Sequence, residues 1–177
     1  MVALAEQDRI DALDSGAIFS PCRRWRYLLW RRWDVDAPVV AFIGLNPSTA
    51  DETFDDQTIR RCMNFAKLWG YGAMQMVNLF AFTATDPAVM KAAGSKAVGP
   101  RNDEYLLTVA RRAQMVVAAW GVQGGHRGRA DYVRRMLDDD GLRLHILRLS
   151  KSGRHPWHPL YLPASSRPVV WPLFRGD

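Results

Sequence analysis

Apolar residues along the chain fall into short unbroken runs separated by amphipathic stretches. Val39 to Leu45 (VVAFIGL) is a continuous apolar run of strand length, the pattern of a strand buried on both faces of a parallel sheet. Ala73 to Phe80 (AMQMVNLF) and Met115 to Trp120 (MVVAAW) predict two further buried strands, and Leu142 to Leu149 (LRLHILRL) predicts a fourth. Between these runs the spacing is helical. From Asp56 to Leu68 the apolar residues Ile59, Cys62, Met63, Phe65 and Ala66 share a face, with Thr58 as a candidate cap and Trp69 to Gly72 as the stop. Helices are also predicted over Arg101 to Ala113 and Arg129 to Leu137, while Ala81 to Pro100 is a loop punctuated by Thr, Asp, Gly and Pro.

Residues 1–17 read as a short helical or frayed leader. Ile18 to Trp33 (IFSPCRRWRYLLWRRW) interleaves arginines with large apolar residues and reads as an edge hairpin with one buried face. Its arginines either snorkel from an amphipathic strand or grip phosphates. Alternation of strand and helix predicts a three-layer α/β/α fold with a central, mainly parallel four-stranded sheet, plus the N-terminal β-hairpin. The chain is then one domain, with leader and hairpin over 1–37, α/β core over 38–162 and a surface tail over 163–177. In such sheets ligands bind at the carboxyl ends of the strands. Asn46 to Asp51, Asn78, Gly121 to Arg127 and Ser150 to Leu162 are therefore the segments to inspect.

A length of 177 residues with 48% hydrophobic content suffices for one buried core. The chain has no apolar stretch of membrane-spanning length, and it opens on a polar, acidic segment, so no membrane contact and a cytoplasmic location are expected. Cys22 and Cys62 form no CxxC pair, which excludes a cysteine-only zinc site or an iron–sulfur cluster. Neither a metal nor a nucleotide cofactor is expected. The histidines lack metal-ligand spacing, and Gly121-Val122-Gln123-Gly124-Gly125 lacks the spacing of a dinucleotide or P-loop motif. No serine sits in a GxSxG elbow. A net charge of +6 favours a polyanionic partner, since Lys and Arg displace the counterions condensed on phosphate backbones.

Four of the strand-end segments carry a resemblance. Gly44-Leu45-Asn46-Pro47 is similar to the first motif of the uracil-DNA glycosylase superfamily, in its GINP form. Val77-Asn78-Leu79 resembles the strand bearing the pyrimidine-reading asparagine, Ala118 to Gly121 resembles the LLWG strand end, and His158 to Leu162 resembles the HPxxL motif. A closer likeness is to an uncharacterised bacterial family with NPSTAD, a DDxTIRR-like helix start, VNLFA, AWG and HPLYL, matched here by Asn46 to Asp51, Asp55 to Arg61, Val77 to Ala81, Ala119 to Gly121 and His158 to Leu162.

The resemblance implies a monomeric, cofactor-free DNA glycosylase that hydrolyses the N-glycosidic bond of a flipped-out pyrimidine, in base-excision repair or antiviral defence. Asn46 would position the attacking water, with Asp51 or Asp56 as an assisting carboxylate or a mere cap. His158 would donate to the base carbonyl, with His155 as its rival. Asn78 would pair with the edge of the base, beside Ser48 and a wall supplied by Phe54 or Phe80. Leu162 would be the wedge entering the base stack, and Arg26, Arg127 and His155 would contact the DNA. Ser48 stands where uracil-specific enzymes carry a tyrosine, so the implied substrate includes 5-substituted pyrimidines. The alternative is a module that binds a modified base or nucleotide without cleaving it, and a third reading is an enzyme of free nucleosides.

Overall fold

The computed structural model describes residues 4–12 and 14–172. Residues 1–3 and 13 of the leader and 173–177 of the tail lie outside the described residues. The helices are α1 (Leu4–Ala12), α2 (Gln57–Leu68), α3 (Pro87–Ala92), α4 (Asn102–Arg112) and α5 (Arg129–Asp139). The strands are β1 (Ser15–Phe19), β2 (Arg26–Arg32), β3 (Val39–Gly44), β4 (Ala73–Asn78), β5 (Met115–Ala118), β6 (Leu144–Ile146) and β7 (Val169–Val170). Three 3-10 segments, Gly94–Ala97, Val122–Gly128 and Pro159–Tyr161, lie in the connections.

All the strands join one mixed sheet of seven, in the order β1-β2-β4-β3-β5-β6-β7. The expected four-stranded sheet is therefore too small. Its four strands are the parallel centre, β4-β3-β5-β6, and antiparallel strands extend it on both sides. The hairpin is part of the sheet, because β2 pairs with β4 as well as with β1. Consequently β2 is buried almost throughout, and of the two hairpin strands only β1 lies at an edge. That placement takes Arg26 and Arg31 into the interior, at 2% and 5% exposure, where an edge strand would have left them at the surface.

Alternating side chains of the central strands feed two cores. Ala41, Ile43 and Val77 pack with Leu106, Val109, Val133 and Leu137 of α4 and α5. Val40, Phe42 and Met76 pack on the opposite face with Ile59, Cys62 and Phe65 of α2. The chain moves from β3 to β4 on one side and then back across to β5 on the other, so right-handed crossovers put α2 and α4 on opposite faces. Such a reversal opens a crevice at the carboxyl ends of the strands flanking it.

Asp56, not Thr58, caps α2: its Oδ1 accepts the Ile59 amide at 2.9 Å. At the start of α4, fully buried Asn102 donates to the carbonyls of Asn78 (2.9 Å) and Leu79 (3.0 Å), tying that helix to the end of β4. Asn102→Ala would take a donor from both carbonyls, with Leu79 keeping only Arg129 Nε at 2.8 Å. That variant should lose about 2–3 kcal/mol of stability in urea unfolding; an unchanged midpoint would show that the tie carries no weight.

Candidate functional site

The loops that leave β3 and β4 stay zipped beyond the sheet. Leu79 and Phe80 amides donate to the Gly44 and Leu45 carbonyls, and the Ala84 amide donates to the Pro47 carbonyl, all at 2.9 Å. Asn46 completes the zipper, since its Nδ2 donates to the carbonyls of Ala84 (2.8 Å), Pro47 (3.0 Å) and Phe82 (3.5 Å). The amide is thus held by its nitrogen, which leaves Oδ1 as the acceptor that this cleft-lining residue can offer. Gly44 sits beside Asn78 in the parallel register of β3 and β4. A Cβ on Gly44 would lie 2.6 Å from Asn78 Nδ2, so glycine is what allows the Asn78 amide to lie across β3.

His158 arrives from a distant loop. Its Nδ1 accepts the Leu160 amide at 3.3 Å, capping the 3-10 turn Pro159–Tyr161, which leaves Nε2 to carry the ring proton. Gly121 stands beside the imidazole, where a Cβ would meet that of His158 at an ordinary contact distance of 3.6 Å, so the φ of 71° and not crowding is what favours glycine there. Burial pushes the His158 pKa down, partly opposed by the charge of Asp56, so the ring is neutral at neutral pH.

These groups line one cleft of about 400 Å³, within the range of small-ligand sites. Asn46, Ser48, Asn78 and His158 all face it, and Arg26 and Asp56 join them. Of the two acids weighed from sequence, the cleft takes Asp56. Asp51 folds its carboxylate back onto the amides of Thr53 (2.9 Å) and Phe54 (2.8 Å), which holds it below the usual carboxylate range and away from the cleft. Among the described residues no group of three or more His, Cys, Asp or Glu side chains is placed to hold a metal.

Several expected contributors lie elsewhere. Phe80 is buried in the core with its ring tilted against His126, and Phe54 is half-exposed outside the cleft lining. Leu162 is buried under α2, where Arg61 takes its carbonyl, so it is a core leucine. The exposed residue of that turn is its neighbour Tyr161, at 73% exposure, whose ring stands beside His158 at the mouth of the cleft. Arg26 is interior and not a surface cation. Arg127 is exposed in the turn before α5, and His155 packs against Gly125 behind that turn, outside the cleft lining. Sequence reasoning missed Arg26 as a cleft residue, together with Tyr161, Thr58 and Gln123. A hairpin read as an edge hides the first, Thr58 is read as a helix cap, and no periodicity marks Gln123 and Tyr161 within irregular connections.

The depressed His158 pKa fixes a pH dependence. The folded chain binds this proton less readily than the unfolded chain, whose histidine titrates near 6.5, so the unfolded state gains protons first as pH falls. The contribution is complete above that value and is lost progressively below it. Melting temperature should fall between about pH 7.5 and about pH 5.5, and His158→Asn, which keeps a capping acceptor, should flatten that slope. A variant with the same slope as the parent would assign it to another group.

No curated protein and no solved structure gives a significant match to the chain. A family model described as "Protein of unknown function (DUF1643)" matches residues 26–160, from the first residue of β2 to the turn after His158. That match takes in more than half of the chain and every polar cleft residue named above except Tyr161, and the chain belongs to this family.

Proposed function

We propose that the chain is a DNA glycosylase that takes a flipped-out pyrimidine into the cleft and hydrolyses its bond to deoxyribose. One observation carries the reading: Asn46, Asn78 and His158, far apart in sequence, line the same cleft at the carboxyl edge of the sheet. Cleavage builds positive charge on the sugar and negative charge on the departing base, and both need stabilisation. Water held by Asn46 Oδ1 attacks C1′ and gives its proton to the Asp56 carboxylate. The electron pair of the C1′–N1 bond leaves with the base, whose carbonyl oxygen receives a hydrogen bond from His158 Nε2–H. Solvent later protonates the released base. Asp56 supplies the carboxylate that an asparagine cannot replace as a proton acceptor.

Specificity follows from what is large and what is small around the cleft. Asn78 offers its amide to the edge of the base, and Ser48 puts a small side chain where a bulky one would exclude 5-substituents. The preferred substrate is accordingly a 5-substituted pyrimidine in DNA. Tyr161 takes the role of the wedge that fills the vacated stack, an amphipathic ring suited to stack on bases at the cleft mouth.

Oligonucleotides carrying uracil, thymine mismatches or bulky 5-substituted pyrimidines, followed by alkali cleavage at abasic sites, test the reading. Turnover should be fastest on the 5-substituted bases; strict preference for uracil would refute the open pocket, and binding without any abasic product would favour a non-catalytic module. Asn46→Ala, Asp56→Asn and His158→Ala should each slow the reaction by about 10²–10⁴-fold, while Asp51→Asn stays near the parental rate. Equal losses for the two acids would contradict the division between them. Tyr161→Ala should weaken duplex binding with an unchanged melting temperature, whereas Leu162→Ala should cost about 2–5 kcal/mol of stability. The reverse pattern would restore Leu162 as the wedge.

A further inference from the structure

Two arginines of β2 are buried, and only one of them is fully used. Arg31 forms an ion pair with Asp55 at 2.8 Å and donates to the carbonyls of Gly16, Trp30, Asp51 and Phe54. Its guanidinium holds the loop that leads into α2. Arg26, at 2% exposure, has no carboxylate within ion-pair distance among the described residues. Its Nη1 donates to the Ala50 carbonyl at 2.8 Å, its Nη2 reaches Asn78 Oδ1 only at the 3.5 Å limit, and its Nε is buried without a partner. Burial lowers the Arg26 pKa to about 10, against the pull of Asp56, whose Oδ1 is engaged as the helix cap.

A buried cation left this way is costly unless something negative completes it. The open side of Arg26 is the cleft, which it lines together with Asn78. Asn78 Oδ1 is turned to Arg26, so the amide presents its Nδ2 donor. The inner wall therefore offers donors, and what it complements is an acceptor bearing negative charge.

We propose that Arg26, with Asn78, forms an anion-receiving subsite that binds the negatively charged edge of a pyrimidine, either an acidic substituent or the charge that the base acquires on departure. The pyrimidine identity rests on the glycosylase reading, whereas the demand for negative charge rests on the arginine alone. In the reaction above, Arg26 is then a catalytic residue that meets the electron pair leaving with the base.

Calorimetric titration of the full chain with 5-carboxyuracil and 6-carboxyuracil, set against uracil and the neutral isostere 5-carboxamidouracil, tests this near neutral pH. At least one carboxylate should bind about tenfold or more tighter than both neutral bases, and Arg26→Gln should abolish the preference while Arg127→Ala keeps it. Equal binding of charged and neutral bases by the parent chain would overturn the proposal, even if Arg26→Gln does not fold. Preference for the carboxylates without cleavage of any DNA would leave the subsite standing and remove the glycosylase reading. Cleavage of DNA without that preference would do the opposite.

Discussion

The absence of a side chain at Gly44 governs the geometry of the cleft. With β3 and β4 in parallel register, Gly44 and Asn78 lie side by side at the carboxyl edge, and the Asn78 amide occupies the space that a Cβ would fill. The same strand ends continue as paired loops, so Asn46, two residues beyond Gly44, is clamped by carbonyls from the segment after β4. A backbone close approach thus positions both asparagines at once. Their orientations are set before any ligand arrives, which is the condition for polar groups to act without reorganisation.

Around that edge the sheet imports chemistry from distant parts of the chain. The hairpin supplies Arg26 because β2 docks against β4 and is not exposed as an edge. The cap of α2 supplies Asp56, the same carboxylate serving the Ile59 amide and the cleft. The loop after β6 supplies His158, whose tautomer follows from the turn that it caps. Opposite charges, Arg26 and Asp56, stand on the lining without pairing to each other. A cleft arranged this way can meet positive charge on one part of a ligand and negative charge on another.

Much of the fold was legible because buried parallel strands leave unbroken apolar runs. VVAFIGL, AMQMVNLF and MVVAAW identify β3, β4 and β5 with errors of one or two residues, and the helical faces of α2, α4 and α5 follow from their own spacing. The size of the sheet was not legible, since nothing local in β2 reveals that its second edge pairs with β4, and β7 has only two residues. Cleft-lining residues were legible at or just beyond the end of a strand, as with Asn78 and Asn46. They were hidden where the structure is irregular: in a 3-10 turn, neighbouring residues point to different sides, so Tyr161 is exposed while Leu162 is buried. Asp51 and Asp56 are both carboxylates of the segment that leads into α2, and only the fold of that loop separates them.

The central claim is that water, activated in this cleft, attacks the anomeric carbon of a pyrimidine nucleotide still held in DNA. A single-turnover reaction in ¹⁸O-enriched water, with an oligonucleotide carrying one 5-substituted pyrimidine, follows the atoms directly by mass spectrometry. The account predicts a free base without the heavy isotope and ¹⁸O at C1′ of the sugar left in the strand. An intact oligonucleotide after prolonged incubation, or heavy oxygen on the base instead of the sugar, would contradict it.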